Sequence, residues 1–165
     1  MAFNFQSLSI LIADDDPTIL EITAKIMRKW DFKRVDTAQN GEDGFNLFAE
    51  HNHDLVVTDC LMEPIDGLEL IQKIRSNDRS PNKYVPIIAT TGYTSPDFID
   101  KLRDCGVTEL LVKPFSTDDL TKRIVYMLNK PRKFVETQNF FGPDRRRRKA
   151  PGYDGPDRRK GGSHE

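Results

Sequence analysis

Four short stretches of this chain carry groups able to handle a divalent cation and a phosphoryl group. They are Asp14 and Asp15 in Ile-Ala-Asp-Asp-Asp-Pro, Asp59 in Val-Val-Thr-Asp, Thr91 in Ala-Thr-Thr-Gly, and Lys113 in Leu-Val-Lys-Pro. Three carboxylates brought together repel one another, at a cost on the order of several kcal/mol at about 4 Å in a protein-like dielectric. A cation among them relieves that cost. A few hard oxygen ligands that leave room for water suit Mg²⁺ better than Zn²⁺ or a dedicated Ca²⁺ cage. Such an ion orients a phosphoryl donor and offsets charge on its equatorial oxygens, a task that Lys113 and the Thr91 hydroxyl can share. Asp59 is then the natural nucleophile. Each residue also has a plainer reading: Asp16 as a helix cap, Thr91 as a strand-end hydroxyl, Lys113 as a solvated cation, Asp59 as a turn former. Their recurrence at successive strand ends argues for a site.

The elements that must position them are legible in the pattern. Ile10–Ala13 is a short apolar run, as in a strand buried on both faces of a parallel sheet. Asp15 or Asp16 can cap a helix that starts at Pro17 and runs to about Lys29, with Leu20, Ala24, Met27 and Trp30 at helical spacing. A weak second strand holds Val35, and Asn40-Gly41 opens a helix whose Phe45, Leu47 and Phe48 can face the sheet. Strands follow at 54–59, 85–90 and 110–112, with helices around 68–74, 98–103 and 120–128. Strict alternation of five strands and five helices implies a doubly wound α/β fold: an open parallel sheet with right-handed crossovers and helices on both faces. Ligand sites in such sheets lie beyond the carboxyl ends of the strands, where the strand order reverses.

With these residues in place, 8–130 resembles the receiver domains of response regulators, typified by the chemotaxis regulator CheY, a flavodoxin-like fold. The resemblance assigns the acidic pair to Asp14 and Asp15 and the phosphoacceptor to Asp59. It assigns the switch hydroxyl to Thr91, the lysine to Lys113, and a further Mg²⁺ ligand to the Leu61 backbone carbonyl. It implies a cis bond before Pro114 and an output surface on the fourth helix, fifth strand and last helix, around Leu102, Leu110 and Tyr126. Two positions depart from the family pattern. Leu110, three before the lysine, stands where an aromatic switch residue is usual, and Pro64 falls one place later than the usual Met-Pro, which should reshape that loop.

Beyond Lys130 the apolar periodicity stops. Residues 131–165 hold ten Lys and Arg against five Asp and Glu, so a tail of +5 follows a body of −6 in a chain of net charge −1. The composition predicts a segment with no core of its own, disordered until a ligand binds, though drawn to the acidic body. It also contains a repeat: Phe140-Phe141-Gly142-Pro143-Asp144-Arg145-Arg146-Arg147 against Tyr153-Asp154-Gly155-Pro156-Asp157-Arg158-Arg159-Lys160. A simple polyanion-binding tail gains nothing from the aspartates, which weaken attraction to phosphate. Guanine supplies a reason: arginine donates to its O6 and N7, a carboxylate accepts from its other edge, an aromatic ring stacks, and a second arginine pairs with phosphate. Two such half-sites suit cyclic di-GMP. The tail resembles the arginine-rich segment of the CheY-like cyclic-di-GMP effectors called Cle proteins, and that resemblance implies docking on a FliM-like flagellar motor switch protein and a place at the flagellated pole.

The expectation is therefore a binding module and not a metabolic enzyme. Its first rival is a single-domain phosphorelay receiver, phosphorylated on Asp59 by a histidine kinase and carrying an incidental polybasic tail. A second, less favoured, is an RNA- or DNA-binding regulator with steep salt dependence. Cys60 and Cys105 form no CxxC pair, no signal-peptide pattern opens the chain, and no apolar run approaches the roughly 20 residues that span a bilayer. A cytoplasmic, soluble protein without membrane insertion is expected. His51 and His53 sit where the second helix should end, and a cation near a helix C-terminus accounts for them better than a zinc site.

Overall fold

A computed structural model describes residues 4–145. Five strands, β1 (Ser9–Ala13), β2 (Arg34–Ala38), β3 (Leu55–Asp59), β4 (Ile87–Thr91) and β5 (Glu109–Val112), form one sheet in the order β2-β1-β3-β4-β5. Every pairing is parallel. Between and after them run α1 (Pro17–Lys29), α2 (Gly41–His51), α3 (Gly67–Ser76), α4 (Pro96–Asp104) and α5 (Thr117–Asn129). The doubly wound α/β fold expected from the alternation is the one observed.

Strand alternation divides the core in two. Ile10 and Ile12 of β1 face Leu20, Ala24 and Met27 of α1 and Leu120, Ile124 and Met127 of α5. Leu11 and Ala13 face Phe45 and Phe48 of α2, Leu70, Ile71 and Ile74 of α3, and Leu102 of α4. Side chains alternate across a strand, so an unbroken apolar run fills both faces.

The helices start where side-chain acceptors meet their first N–H groups. Asp16, Asn40, Asp66, Ser95 and Ser116 cap α1 to α5 in turn. Gly67 is required for a steric reason: a Cβ there would collide with the Asp59 carbonyl. The Gly67 N–H donates to the Cys60 carbonyl at 3.0 Å, which ties the start of α3 to the end of β3.

The described part of the tail has secondary structure of its own. Phe134–Glu136 (β6) and Phe141–Pro143 (β7) form an antiparallel hairpin, Phe134 opposite Pro143 and Glu136 opposite Phe141. It docks at the amino ends of β4 and β5, opposite the end that carries Asp59. Phe134 and Phe141 pack against Tyr84 with ring centroids 5.1 and 5.4 Å away, and Phe134 covers the Arg75 guanidinium at 5.0 Å. Gly106, at φ +94, permits the approach, since a Cβ there would lie 2.9 Å from the Phe141 carbonyl. Residues 134–143 form this hairpin because aromatic side chains spaced along a short strand pair supply a surface that charge counting overlooks. Residues 146–165, including Arg146, Arg147 and the second repeat with Tyr153, Asp157, Arg158 and Arg159, lie outside the described residues.

Candidate functional site

The sheet register brings together the residues selected by type. Ala13 pairs with Thr58, so Asp14 just after β1 and Asp59 at the end of β3 stand side by side at the point where the strand order reverses. Carboxylate oxygens of Asp14, Asp15 and Asp59 all lie within 4.8 Å of one another. The triple aspartate divides its labour. Asp14 accepts the Asp16 N–H at 2.9 Å, whereas Asp16 turns its carboxylate onto the Thr18 and Ile19 N–H groups and caps α1.

Lys113 follows β5, where its N–H donates to the Thr91 carbonyl at 2.8 Å and its peptide bond to Pro114 is cis. Its Nζ reaches Asp14 Oδ2 at 3.5 Å and Asp59 Oδ1 at 3.3 Å. Burial raises the Asp59 carboxyl above the ordinary carboxylate range and Asp14 adds to the rise, with Lys113 opposing. Burial works to lower the lysine, but the two carboxylates outweigh it and hold its pKa above the usual value. The pocket therefore holds more negative charge than its one ammonium balances.

Thr91 is buried, and its hydroxyl is held by its own loop: it accepts the Tyr93 N–H at 2.9 Å and donates to the Tyr93 carbonyl at 3.2 Å. Leu61 follows the end of β3 with an exposed side chain, at the start of a loop in which the Glu63–Pro64 bond is also cis. Leu110 packs partly buried against the core cluster of α2, α3 and α4. Leu102 is fully buried and belongs to that core, so it cannot contact a partner as expected, whereas Tyr126 is half exposed. Cys60 and Cys105 are free buried thiols; burial pushes Cys60 up to about 12 and raises Cys105 as well, which keeps both protonated.

The described residues of the first tail repeat pack on the receiver body and on one another. Phe141 is taken up by Tyr84, Phe134 and the Lys83 ammonium, and the Phe140 ring lies 4.4 Å beneath the Arg145 guanidinium. Arg145 donates to Asp104 at 2.7 Å. The Asp144 N–H closes the hairpin onto the Lys133 carbonyl at 2.7 Å. The expected attraction between acidic body and basic tail is present in the Arg145–Asp104 and Arg132–Glu109 pairs.

His53 also needs correction. It lies beyond the end of α2, wholly buried, with Nε2 2.7 Å from Asp36 Oδ2 and Nδ1 without a hydrogen-bond partner. It is a neutral internal donor rather than a helix-end cation. Composition concealed Arg75 too. Buried on α3, it donates to the carbonyls of Gly106, Lys83 and Val85 and faces the Thr108 hydroxyl, with no carboxylate partner, and burial lowers its pKa to about 9. Nothing in its sequence neighbourhood distinguishes it from a solvated helix arginine. Among the described residues no helix is long and apolar enough to cross a membrane.

Comparison with known proteins agrees with this geometry. The chain is 32% identical over 115 residues to the transcriptional regulatory protein PdtaR of Mycobacterium tuberculosis, covering 70% of this chain and 54% of that one. It is 29% identical to the chemotaxis protein CheY of Pseudomonas aeruginosa, covering 71% of this chain and 93% of the relative. The chain spans about half or less of the length of several other curated relatives, among them a hybrid histidine kinase of Dictyostelium discoideum. Among solved structures, chemotaxis protein CheY4 of Vibrio cholerae superposes with a TM-score of 0.67 at 25% identity, over 73% of this chain and 98% of that one. The model of the response regulator receiver domain matches residues 10–125, and the chain belongs to that family.

Proposed function

We propose that the chain is a two-input signalling module: a receiver phosphorylated on Asp59 whose arginine-rich C-terminal segment binds cyclic di-GMP and thereby controls a protein partner. The observation that carries the first input is the convergence of Asp14, Asp15 and Asp59 with Lys113 at the switch point of the sheet. These donors fit Mg²⁺: all are hard oxygens, and the local negative charge is only partly balanced. Asp14, Asp15, Asp59 and the Leu61 carbonyl would hold the ion, which when bound supplies charge neutralisation to a transferring phosphoryl group. An Asp59 oxygen forms the new bond to phosphorus as the P–N bond of a kinase phosphohistidine breaks. The departing histidine nitrogen keeps the electron pair and takes up a proton. Lys113 offers its ammonium to the new phosphoryl oxygens, and Thr91, once released from Tyr93, offers its hydroxyl.

The second input rests on the duplicated Gly-Pro-Asp-Arg-Arg segment and its fit to two guanine nucleotides. The partner this reading implies is a FliM-like motor switch protein, met through α4, β5 and α5. The module binds and relays; it does not turn over a metabolite.

The test is calorimetric titration of the intact chain with cyclic di-GMP, beside phosphorylation by a small-molecule phosphodonor. Asp59→Asn should abolish the phosphorylated species and leave nucleotide binding intact. Arg145→Ala with Arg158→Ala should do the reverse. Absence of heat with the wild-type chain overturns the second input and leaves a phosphorelay receiver. One observation favours that second reading: Phe134 and Phe141 give the first part of the tail a structural task of its own.

A further inference from the structure

Where the hairpin meets the receiver body, a cavity of about 460 Å³ opens between α4, β5, α5 and the tail. Its size falls within the roughly 300–1,000 Å³ usual for small-molecule sites. Its charged lining is unusual for a seam between two parts of one chain: Arg103 from α4, Arg123 from α5, and Arg132 and Arg145 from the tail, against only Asp100 and Glu109.

Glu109 organises this lining. Its carboxylate, with 9% of the side chain exposed, grips two guanidinium groups at once: Arg123 Nη1 at 3.3 Å on Oε2 and Arg132 Nη2 at 3.0 Å on Oε1. An arginine carries five N–H donors in a rigid fork. A carboxylate that anchors one end of the fork fixes the direction of the rest, so Arg123 of the body and Arg132 of the tail are held side by side. Across the cavity Arg145 is held by Asp104 at 2.7 Å and by the Phe140 ring, and Arg103 lies 4.0 Å from Asp100. Four guanidinium groups face Asp100, Glu109 and, through Arg145, Asp104, so a net positive charge remains in a partly enclosed space. The fork donors that these carboxylates leave unused suit phosphodiester oxygens, which accept paired guanidinium N–H groups.

We infer that this seam is the phosphodiester-binding site for a cyclic guanine dinucleotide, with Arg103 and Arg123 of the receiver body as binding residues beside Arg132 and Arg145 of the tail. The inference rests on the proposed nucleotide input and deepens it: Arg132 and Arg145 of the tail are half of the site and the α4–β5–α5 face the other half. Glu109 is a positioning residue. A ligand seated here joins hairpin and body across the face that would meet a protein partner, so occupancy and partner access become linked.

The experiment is calorimetric titration of the full chain with cyclic di-GMP, with GMP and inorganic phosphate as separate probes. Arg103→Ala with Arg123→Ala should weaken cyclic di-GMP binding tenfold or more while the tail stays intact, and GMP or phosphate alone should bind far more weakly than the dinucleotide. Both side chains are substantially exposed, so the variant should melt near the wild type. A second readout needs no variant: the side-chain N–H signals of Arg103 and Arg123 should shift on titration of the unaltered chain. The inference is overturned if the body variant binds within twofold of wild type, or if those signals stay still while ligand binds; the tail reading then survives alone. Equal binding of free phosphate and dinucleotide overturns the assignment of ligand. A wild-type chain that binds no cyclic di-GMP overturns both the inference and the nucleotide input.

Discussion

Cutting the chain after Lys130 removes a tail that composition marks as dispensable, yet the docked hairpin makes that cut costly. Phe134 is half buried, makes an edge-on contact to Tyr84 at 5.1 Å and covers the Arg75 guanidinium at 5.0 Å. Burying an aromatic side chain fully contributes about 1.5–3 kcal/mol, so a half-buried one contributes about 1. The ring pair adds about 0.5–1.5 kcal/mol and a desolvated cation–π contact about 1–2. The Ala variant keeps the hairpin backbone and Phe141, so their terms cancel in the comparison, and loss of the ordered ring's rotamer cost trims the sum. A net loss of about 2 kcal/mol is expected for Phe134→Ala, the single change that spares the rest of the hairpin. For a chain of this size that lowers the melting temperature by about 4–8 °C. Differential scanning calorimetry on wild type, Phe134→Ala and the chain ended at Lys130 measures it. Melting of both altered chains within 1 °C of wild type would refute the reasoning, because Arg75 would then not need its aromatic cover.

Acidification and charge removal test two further sites. Burial holds His53 below its ordinary pKa of 6.5, so the folded state accepts this proton at lower pH than the unfolded chain does. Stability should fall as pH drops from about 6.5 through the folded-state value. Asp36 continues the trend at lower pH: burial raises it, but hydrogen bonds from His53 and Arg34 outweigh that and hold its pKa below 3.8. Denaturant melts from pH 7 to 5 should show the slope, and His53→Gln should flatten it; an unchanged slope sinks the assignment. Lys113→Met removes an ammonium 3.5 Å from Asp14 and 3.3 Å from Asp59, and at an effective dielectric of about 20, discounted for partial exposure and the lysine's own desolvation, that attraction is worth on the order of a few kcal/mol. The variant should lose about that much stability in chelator and recover most of it in excess Mg²⁺; equal loss in both buffers would mean that the cluster holds no cation.

The helix starts and the chemistry at the strand ends were legible because both are local. A polar side chain before an apolar repeat caps a helix through N–H groups two or three residues away, and Asp16 and Asn40 do so here. Apolar runs such as Ile10–Ala13 and Leu55–Val57 identify strands buried on both faces, and parallel strands must return through helices, so Asp14, Asp59, Thr91 and Lys113 had to meet at one end of the sheet.

What only the tertiary structure decided were the fates of side chains whose partners lie far along the chain. His53 pairs with Asp36 across α2, Arg75 gathers carbonyls from two later segments, and Glu109 joins α5 to the tail. The segment after Lys130 shows the same division. Its charge and repeats are readable from composition, but whether Phe134 and Phe141 fold depended on Tyr84, Arg75 and Gly106 presenting a matching surface. Local pattern sets which elements form, because hydrogen-bond geometry and side-chain period are short-range. Which surfaces then meet, and so which charges are buried, paired or left to bind a ligand, depends on packing that brings together residues tens of positions apart.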